Sequence, residues 1–175
     1  MRYIIYSLIF LLCVILQSSV FIYLPLFSVV PNIFLVLAIL VAILGTQRES
    51  LVIAFLLGTW LDFASGGLPG VFALIFTLIA QGVNWLFSQV LLPSNAGKYL
   101  LLVTAVCSIL GILGFWIISL LLSVLHIPVI TITFGLITRL LLWQTLYHLL
   151  LVYPLYFLVL STTKFSTKFT NRFRL

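Results

Sequence analysis

Long, continuous runs of apolar residues follow one another along this chain of 175 residues. Hydrophobic residues make up 65% of the chain and charged residues only 6%, so water cannot be its main solvent. The runs lack two-residue alternation, which favours helices over the strands of a membrane barrel. The sequence therefore predicts an all-α membrane protein with six transmembrane helices, at roughly 4–24, 29–46, 50–64, 70–92, 99–125 and 132–160.

Proline, glycine and polar residues separate these runs. Pro31 stands where proline is favoured, in the first turn of the second helix, and "TQRES" at 46–50 is predicted to form a polar turn. The third run, 50–64, is short for a membrane crossing, so we expect this helix to end inside the protein. The glycine-rich "GGLPG" at 66–70 would then form either a surface loop or re-entrant backbone.

Basic residues indicate the orientation. With six helices, Arg2, Arg48, Lys98 and the basic residues of the C-terminal tail all fall on one side of the membrane. The positive-inside rule makes that side cytoplasmic, so both termini are predicted there. The basic residues are scattered and form no patch of the size that nucleic acid needs, so no nucleic-acid partner is expected.

The chain is expected to form one membrane domain, residues 1–160, followed by a basic, phenylalanine-containing cytoplasmic tail, residues 161–175. The tail, "TKFSTKFTNRFRL", repeats every four residues. As a helix it would place phenylalanines in the membrane interface and basic groups near anionic lipid headgroups. Docking of a cytoplasmic partner is the alternative.

Two charged residues are expected within the membrane. We expect Asp62 and Arg139 to lie at similar depths in helices three and six, where pairing would relieve the cost of burying each charge. The amides of Gly66 and Gly67 could complete the hydrogen bonds of the carboxylate. The alternative is that Asp62 caps the chain break that follows it and Arg139 extends outward to the membrane surface. A proton relay is a weaker hypothesis, because relays usually need several such groups.

Polar and small residues mark further helix faces. Cys107, Ser108, Gly111 and Gly114 would allow close packing of helix five, or contact between copies of the chain. A polar stripe on helix four should face other helices or line a small-molecule pocket. Its members are Thr77, Gln81, Asn84 and Ser88.

No catalytic arrangement is visible in the sequence. The chain has two acidic residues and two histidines, and neither histidine has a second candidate ligand three or four residues away. We therefore expect no enzyme activity, no metal and no cofactor.

Residues 30–74, "VPNIFLVLAILVAILGTQRESLVIAFLLGTWLDFASGGLPGVFAL", resemble the rod shape-determining protein MreD family of bacteria. The resemblance implies a six-helix subunit of the inner membrane, without catalytic activity, in the machinery that elongates rod-shaped cells. It also implies association with an MreC-like protein and, through it, with a RodA-like glycan polymerase, a class B penicillin-binding transpeptidase and MreB filaments. The residues that carry it are Pro31, Asn32, Gly58, Leu61, Asp62, Ser65, Gly66, Gly70, Ala73 and Leu74.

Two functions follow as expectations. In the first, the chain is an adaptor whose "LDFASGG" turn shapes an outer surface that holds a partner's membrane segment. Asp62, Ser65, Gly66 and Gly70 would fix this turn, and Arg139 would anchor it to helix six. The family fold is similar to the substrate-binding subunits of energy-coupling-factor vitamin transporters, so the alternative is a small-molecule carrier. Its pocket would lie between the stripe of helix four and the same turn.

Overall fold

Within the described residues, each of the six predicted segments contains helix. The structure, a computed structural model, describes residues 2–19, 29–66, 68–89, 96–126 and 134–172, and it contains no β-strand among them. The last predicted segment is one helical path made of α6, a π-helical stretch and α7. The elements are α1 (Arg2–Ser19), α2 (Ile33–Leu44), α3 (Gln47–Ser65), α4 (Val71–Gln89), α5 (Ala96–Val124), α6 (Phe134–Arg139), the π-helix Leu140–Gln144 and α7 (Thr145–Arg172).

The apolar helices identify the chain as a membrane protein. Among the described residues, three helices are long and apolar enough to cross a bilayer: Val71–Gln89, Gly97–Val124 and Gly135–Ser161. The helices Ser7–Ser19 and Ile33–Leu44 are apolar but shorter. Helix α3 is nineteen residues long and includes three charged residues, Arg48, Glu49 and Asp62.

Helix α2 lies at the centre of the bundle. Every residue from Ile33 to Ala42 is buried, and α2 contacts α1, α3, α4, α5 and α7. Its sequence, IFLVLAILVAIL, is apolar on all sides, as expected of a helix that other helices surround. An all-apolar helix can be buried in this way only if the polar groups at its ends find partners.

The prediction that helix three starts at residue 50 is wrong, because α3 begins three residues earlier. Thr46 and Glu49 form a capping box: the Thr46 hydroxyl accepts from the Glu49 N–H, and the Glu49 carboxylate accepts from the Thr46 N–H. This reciprocal pair satisfies the first backbone donors, so the polar "TQRES" stretch starts the helix instead of forming a loop. Helix α3 is therefore ~28 Å long, which is longer than the fifteen-residue helix that the sequence predicted.

Helices α3 and α4 pack closely because α3 presents small residues to its neighbour. Ser50, Ala54, Gly58 and Asp62 recur every four residues, and all four are buried. A Cβ atom added at Gly58 would lie 2.4 Å from the Cα atom of Ala73. The absence of a side chain at Gly58 therefore lets the backbone of α3 approach the first turn of α4.

The polar stripe of helix four contributes to this packing near the start of α3. The Asn84 Nδ2 atom donates to the Ser50 hydroxyl at 2.7 Å, and Gln81 Oε1 accepts from Gln47 Nε2 at 3.2 Å. The hydroxyl groups of Thr77 and Ser88 donate to carbonyl groups of α4 itself. Gln81 and Asn84 thus join α4 to α3, whereas Thr77 and Ser88 bond within their own helix.

The small-residue face of α5 also packs as expected. Cys107 and Ser108 are buried, and a Cβ atom added at Gly111 would meet side chains of Leu35 and Ile79 at 3.4 Å. At the far end of the chain, α7 continues to Arg172, so the predicted tail is helical as far as the structure describes it. The predicted placement of the tail phenylalanines and basic groups lies outside the described side chains.

We predict that Gly58→Ala destabilises the protein by ~1–3 kcal/mol, since its methyl group would overlap the backbone of α4. Gly82→Ala is the matched control, because a Cβ atom at this exposed position of α4 meets nothing within 4 Å. It should stabilise the protein by ~0.5–1 kcal/mol through helix propensity. Unfolding in detergent micelles measures both changes. Equal effects of the two substitutions would contradict the close approach of α3 and α4.

Candidate functional site

Asp62 caps the N-terminus of α4. Its side chain belongs to the last turn of α3, and its carboxylate accepts from three backbone N–H groups of the next helix. The Oδ2 atom accepts from Gly70 at 2.9 Å and from Ala73 at 3.1 Å, and Oδ1 accepts from Phe72 at 2.9 Å. The residue is only 1% exposed. A buried anion is stable here because the first turn of a helix offers both free donors and the positive end of the helix dipole.

The turn between α3 and α4 is shaped to bring these donors to the carboxylate. Gly66 closes α3 in the left-handed region at φ 64°, and Gly70 has φ 100° directly before α4. Glycine adopts such angles readily, because it has no Cβ atom. The Ser65 hydroxyl bonds to the Asp62 carbonyl at 3.2 Å. The described residues of this turn, including Pro69, are mostly exposed, which favours the surface loop over re-entrant backbone.

The aromatic ring of Phe72 fixes this first turn against α5. It stacks on Phe115 with ring centroids 4.9 Å apart and planes 7° from parallel. Phe72 thus donates its N–H to α3 and contributes its side chain to the α4–α5 contact. The first turn of α4 is held on two sides.

Arg139 does not join this arrangement in the described part of the chain. Its side chain is exposed at the end of α6, whereas Asp62 is enclosed by amides. The expected ion pair is therefore not what holds the carboxylate. The helix cap, which was the alternative interpretation, explains the burial of Asp62, although the amides come from residues 70, 72 and 73 and not from Gly66.

A second buried cap closes the N-terminus of α2. The Asn32 side chain accepts from the Leu35 N–H at 3.2 Å, and Gln17 of α1 accepts from the Ile33 N–H at 3.0 Å. The Gln17 amide also donates to the Pro31 carbonyl at 2.9 Å. The Asn32 N–H donates to His148 Nε2 of α7 at 3.3 Å. Three of the first four donors of α2 are thus satisfied by side chains, as at α4.

The hydrogen-bond pattern around His148 defines its tautomer. The Ser108 hydroxyl donates to the Thr104 carbonyl at 2.7 Å, so its oxygen is free to accept from His148 Nδ1–H, also at 2.7 Å. Nε2 then carries no proton and accepts from Asn32. The imidazole is fully buried, and the network needs it neutral. His148 therefore links α2, α5 and α7.

The described residues line two cavities between the helices. The larger, of about 570 Å³, lies between α1, α2 and α3 and has mainly apolar walls. The smaller, of about 200 Å³, is lined by residues of α2, α4, α5, α6 and the π-helix, including Asn32, Phe72 and Gln144. Since the smaller cavity touches the first turns of both α2 and α4, the two caps lie at the same end of the bundle, which we call the capped end. No residue of the polar stripe on α4 lines either cavity.

The side chains of the two caps have a structural role. The Asp62 carboxylate is closed off from solvent, and both His148 nitrogens are hydrogen-bonded. In the described part of the chain, no three His, Cys, Asp or Glu side chains are grouped as metal ligands would be. Sequence reasoning singled out Asp62 and Asn32 but missed Gln17 and His148. Their signal was only that each is a polar residue within an apolar run, which places it inside the bundle.

We predict that Asp62→Ala lowers the free energy of unfolding by ~3 kcal/mol, since three buried donors lose their acceptor. Asp62→Asn should lose about half as much, because one amide oxygen retains part of the cap and no buried charge is left. Arg139→Gln, at an exposed site, should change stability by less than ~0.5 kcal/mol. Unfolding of the single variants and of the double variant Asp62→Asn/Arg139→Gln in detergent tests whether Asp62 acts as a cap. Strong coupling between the two residues would support the ion pair instead.

We predict that His148→Phe destabilises the protein by ~2 kcal/mol, because it leaves Asn32 and Ser108 without their buried partner at nearly constant volume. His126→Asn is the control. His126 is exposed with φ 58°, and asparagine tolerates this conformation, so its unfolding should match the unaltered protein. Hydrogen exchange of the first amides of α2, measured by mass spectrometry, should rise in the His148 variant alone. Unchanged protection there would contradict the cap.

Comparisons with known proteins assign no family to this chain. It matches no family model, no curated protein and no solved structure. The resemblance of residues 30–74 to the MreD family thus remains a prediction from the sequence. This stretch contains Asp62 and Asn32, whereas Gln17 and His148 of the second cap lie outside it.

Proposed function

We propose that this protein is a non-catalytic adaptor subunit of the bacterial cell-elongation machinery, located in the inner membrane. The observation that carries the proposal is the α3–α4 turn at the capped end. The buried Asp62 carboxylate holds this turn through hydrogen bonds from three backbone amides. Beside the turn, the side chains of Phe63 and Leu74 are 74% and 53% exposed. A fixed turn flanked by exposed apolar side chains suits the binding of another membrane segment.

The proposed topology has six membrane crossings with both termini in the cytoplasm. Six helical segments along the chain support it, as does the distribution of basic residues in the sequence. The capped end then faces outward. A partner with a short external segment could reach it there.

An adaptor of this kind works by pre-organisation. A surface that is already fixed loses little conformational entropy on binding, so modest apolar contacts suffice for a stable complex. The partner proposed from the family resemblance is an MreC-like protein. Through this partner, the protein would associate with a RodA-like glycan polymerase, a class B penicillin-binding transpeptidase and MreB filaments.

A carrier for a small molecule is the second candidate, and the smaller cavity at the capped end is the observation in its favour. Asn32 and Gln144 give it two polar side chains. Its volume of about 200 Å³ is below the ~300 Å³ of typical ligand pockets. The larger cavity, of about 570 Å³, is large enough, but its walls are mainly apolar and include no residue of the polar stripe on α4. The adaptor is therefore the better-supported proposal.

We predict that the full chain, co-expressed with an MreC-like protein and purified in mild detergent, retains it in a fixed ratio. Leu74→Asn should lower this retention about fivefold, as expected for loss of one interface anchor. Leu102→Asn is the matched control: Leu102 of α5 is 62% exposed and lines neither cavity, so the cost of a polar group in lipid is similar. Mass spectrometry identifies the retained molecules. A stoichiometric small molecule without a protein partner would favour the carrier.

A further inference from the structure

The larger cavity is a groove along α3. Its α3 wall runs from Arg48 to Phe63, and α1 and α2 form the other sides. Helix α1 meets α3 across it through Phe10 and Trp60, whose rings contact edge to face with centroids 6.0 Å apart. The groove therefore lies between helices and is not simply the outer surface of the bundle.

The width of the groove limits what can occupy it. Fifteen residues of helix separate Arg48 from Phe63, a length of ~22 Å. Over that length, the volume of about 570 Å³ that the centre of a water molecule can reach corresponds to a path ~6 Å across. The free width is ~9 Å once the ~1.4 Å radius of water is added on each side, whereas a helix with side chains is ~10–12 Å wide. Carbon atoms in contact lie ~4 Å apart, so one extended hydrocarbon chain fits and a whole helix does not.

The walls of the groove suit hydrocarbon. Val52, Leu56 and Phe63 expose apolar surface there. The Thr59 hydroxyl, which is on the same wall, donates to the Phe55 carbonyl of its own helix at 2.8 Å. Its polar atom is thus already engaged, so an apolar occupant loses no hydrogen bond at this position.

One end of the groove is charged. Arg48 is exposed, and no ion pair or hydrogen bond engages its guanidinium within the described residues. The neighbouring Glu49 carboxylate is engaged in the capping box with the Thr46 N–H at 3.2 Å. A free guanidinium binds phosphate through two parallel hydrogen bonds. A cation at the mouth of a hydrocarbon-wide groove matches a molecule with a phosphate at one end and an acyl chain at the other.

We propose that this groove binds one glycerophospholipid, with its phosphate on Arg48 and one acyl chain along α3 between α1 and α2. The positive-inside rule would place Arg48 at the cytoplasmic leaflet, where anionic lipids are concentrated. The bound lipid fills the space that separates α1 from α3. It thereby completes the packing of the first helix against the bundle.

Native mass spectrometry of the full chain tests this proposal with two probes that share acyl chains, dioleoyl phosphatidylglycerol and dioleoylglycerol. The unaltered protein should retain one phosphatidylglycerol and bind dioleoylglycerol more weakly. Arg48→Gln should lower retention of phosphatidylglycerol about fivefold, to the level of dioleoylglycerol. Lys98→Gln, at another exposed basic residue, is the charge control and should retain the lipid fully.

A second pair of variants tests the acyl chain. Leu56→Trp should displace both probes, whereas Leu102→Trp, outside the groove, should displace neither. Val52→Trp serves the same purpose if Leu56→Trp does not fold. The proposal is overturned if Arg48→Gln retains phosphatidylglycerol like the unaltered protein, if groove-filling variants keep both probes, if no lipid is retained, or if a co-purified polypeptide segment occupies the groove.

Discussion

A backbone N–H at the start of a helix needs an acceptor, and an apolar surrounding offers none except from the protein itself. Two helices of this protein, α2 and α4, begin at the capped end under this constraint. Both helix starts find acceptors on side chains of neighbouring helices, the buried Asp62 at α4 and the partly buried Gln17 with the buried His148 at α2. The hydrogen bonds that satisfy the helix ends are therefore the same bonds that fix how the helices sit against each other.

Much of the helical layout follows from hydrophobic runs, and the contacts within the α3–α4 hairpin follow from short-range spacing. The four-residue spacing of Ser50, Ala54, Gly58 and Asp62 is visible in the sequence, and so is the Thr46–Glu49 capping pattern, which lies in the stretch predicted above as a polar turn. These signals act over one or two turns. Asp62 was recognisable as exceptional, and a cap was one of its two interpretations.

The partners of His148 were not predictable in the same way. Asn32 and His148 are 116 positions apart, and periodicity within one helix says nothing about which helices become neighbours. Charge and depth alone predict an ion pair between Asp62 and Arg139. The partners of the carboxylate are instead backbone amides, which every residue type except proline carries, so residue identity does not reveal them. Local patterns thus predict helices and their small-residue faces, but the long-range acceptors depend on tertiary packing.

The link from His148 to α2 has a consequence for biogenesis. Helix α2 is synthesised before α7, yet one of the groups that cap α2, the His148 imidazole, belongs to α7. Until α7 is inserted, the Asn32 N–H lacks its imidazole acceptor, and the packing around α2 is incomplete. The start of α2 is therefore fully capped only after α7 is in place, and a nascent chain that stops before α7 leaves the Asn32 N–H without this acceptor.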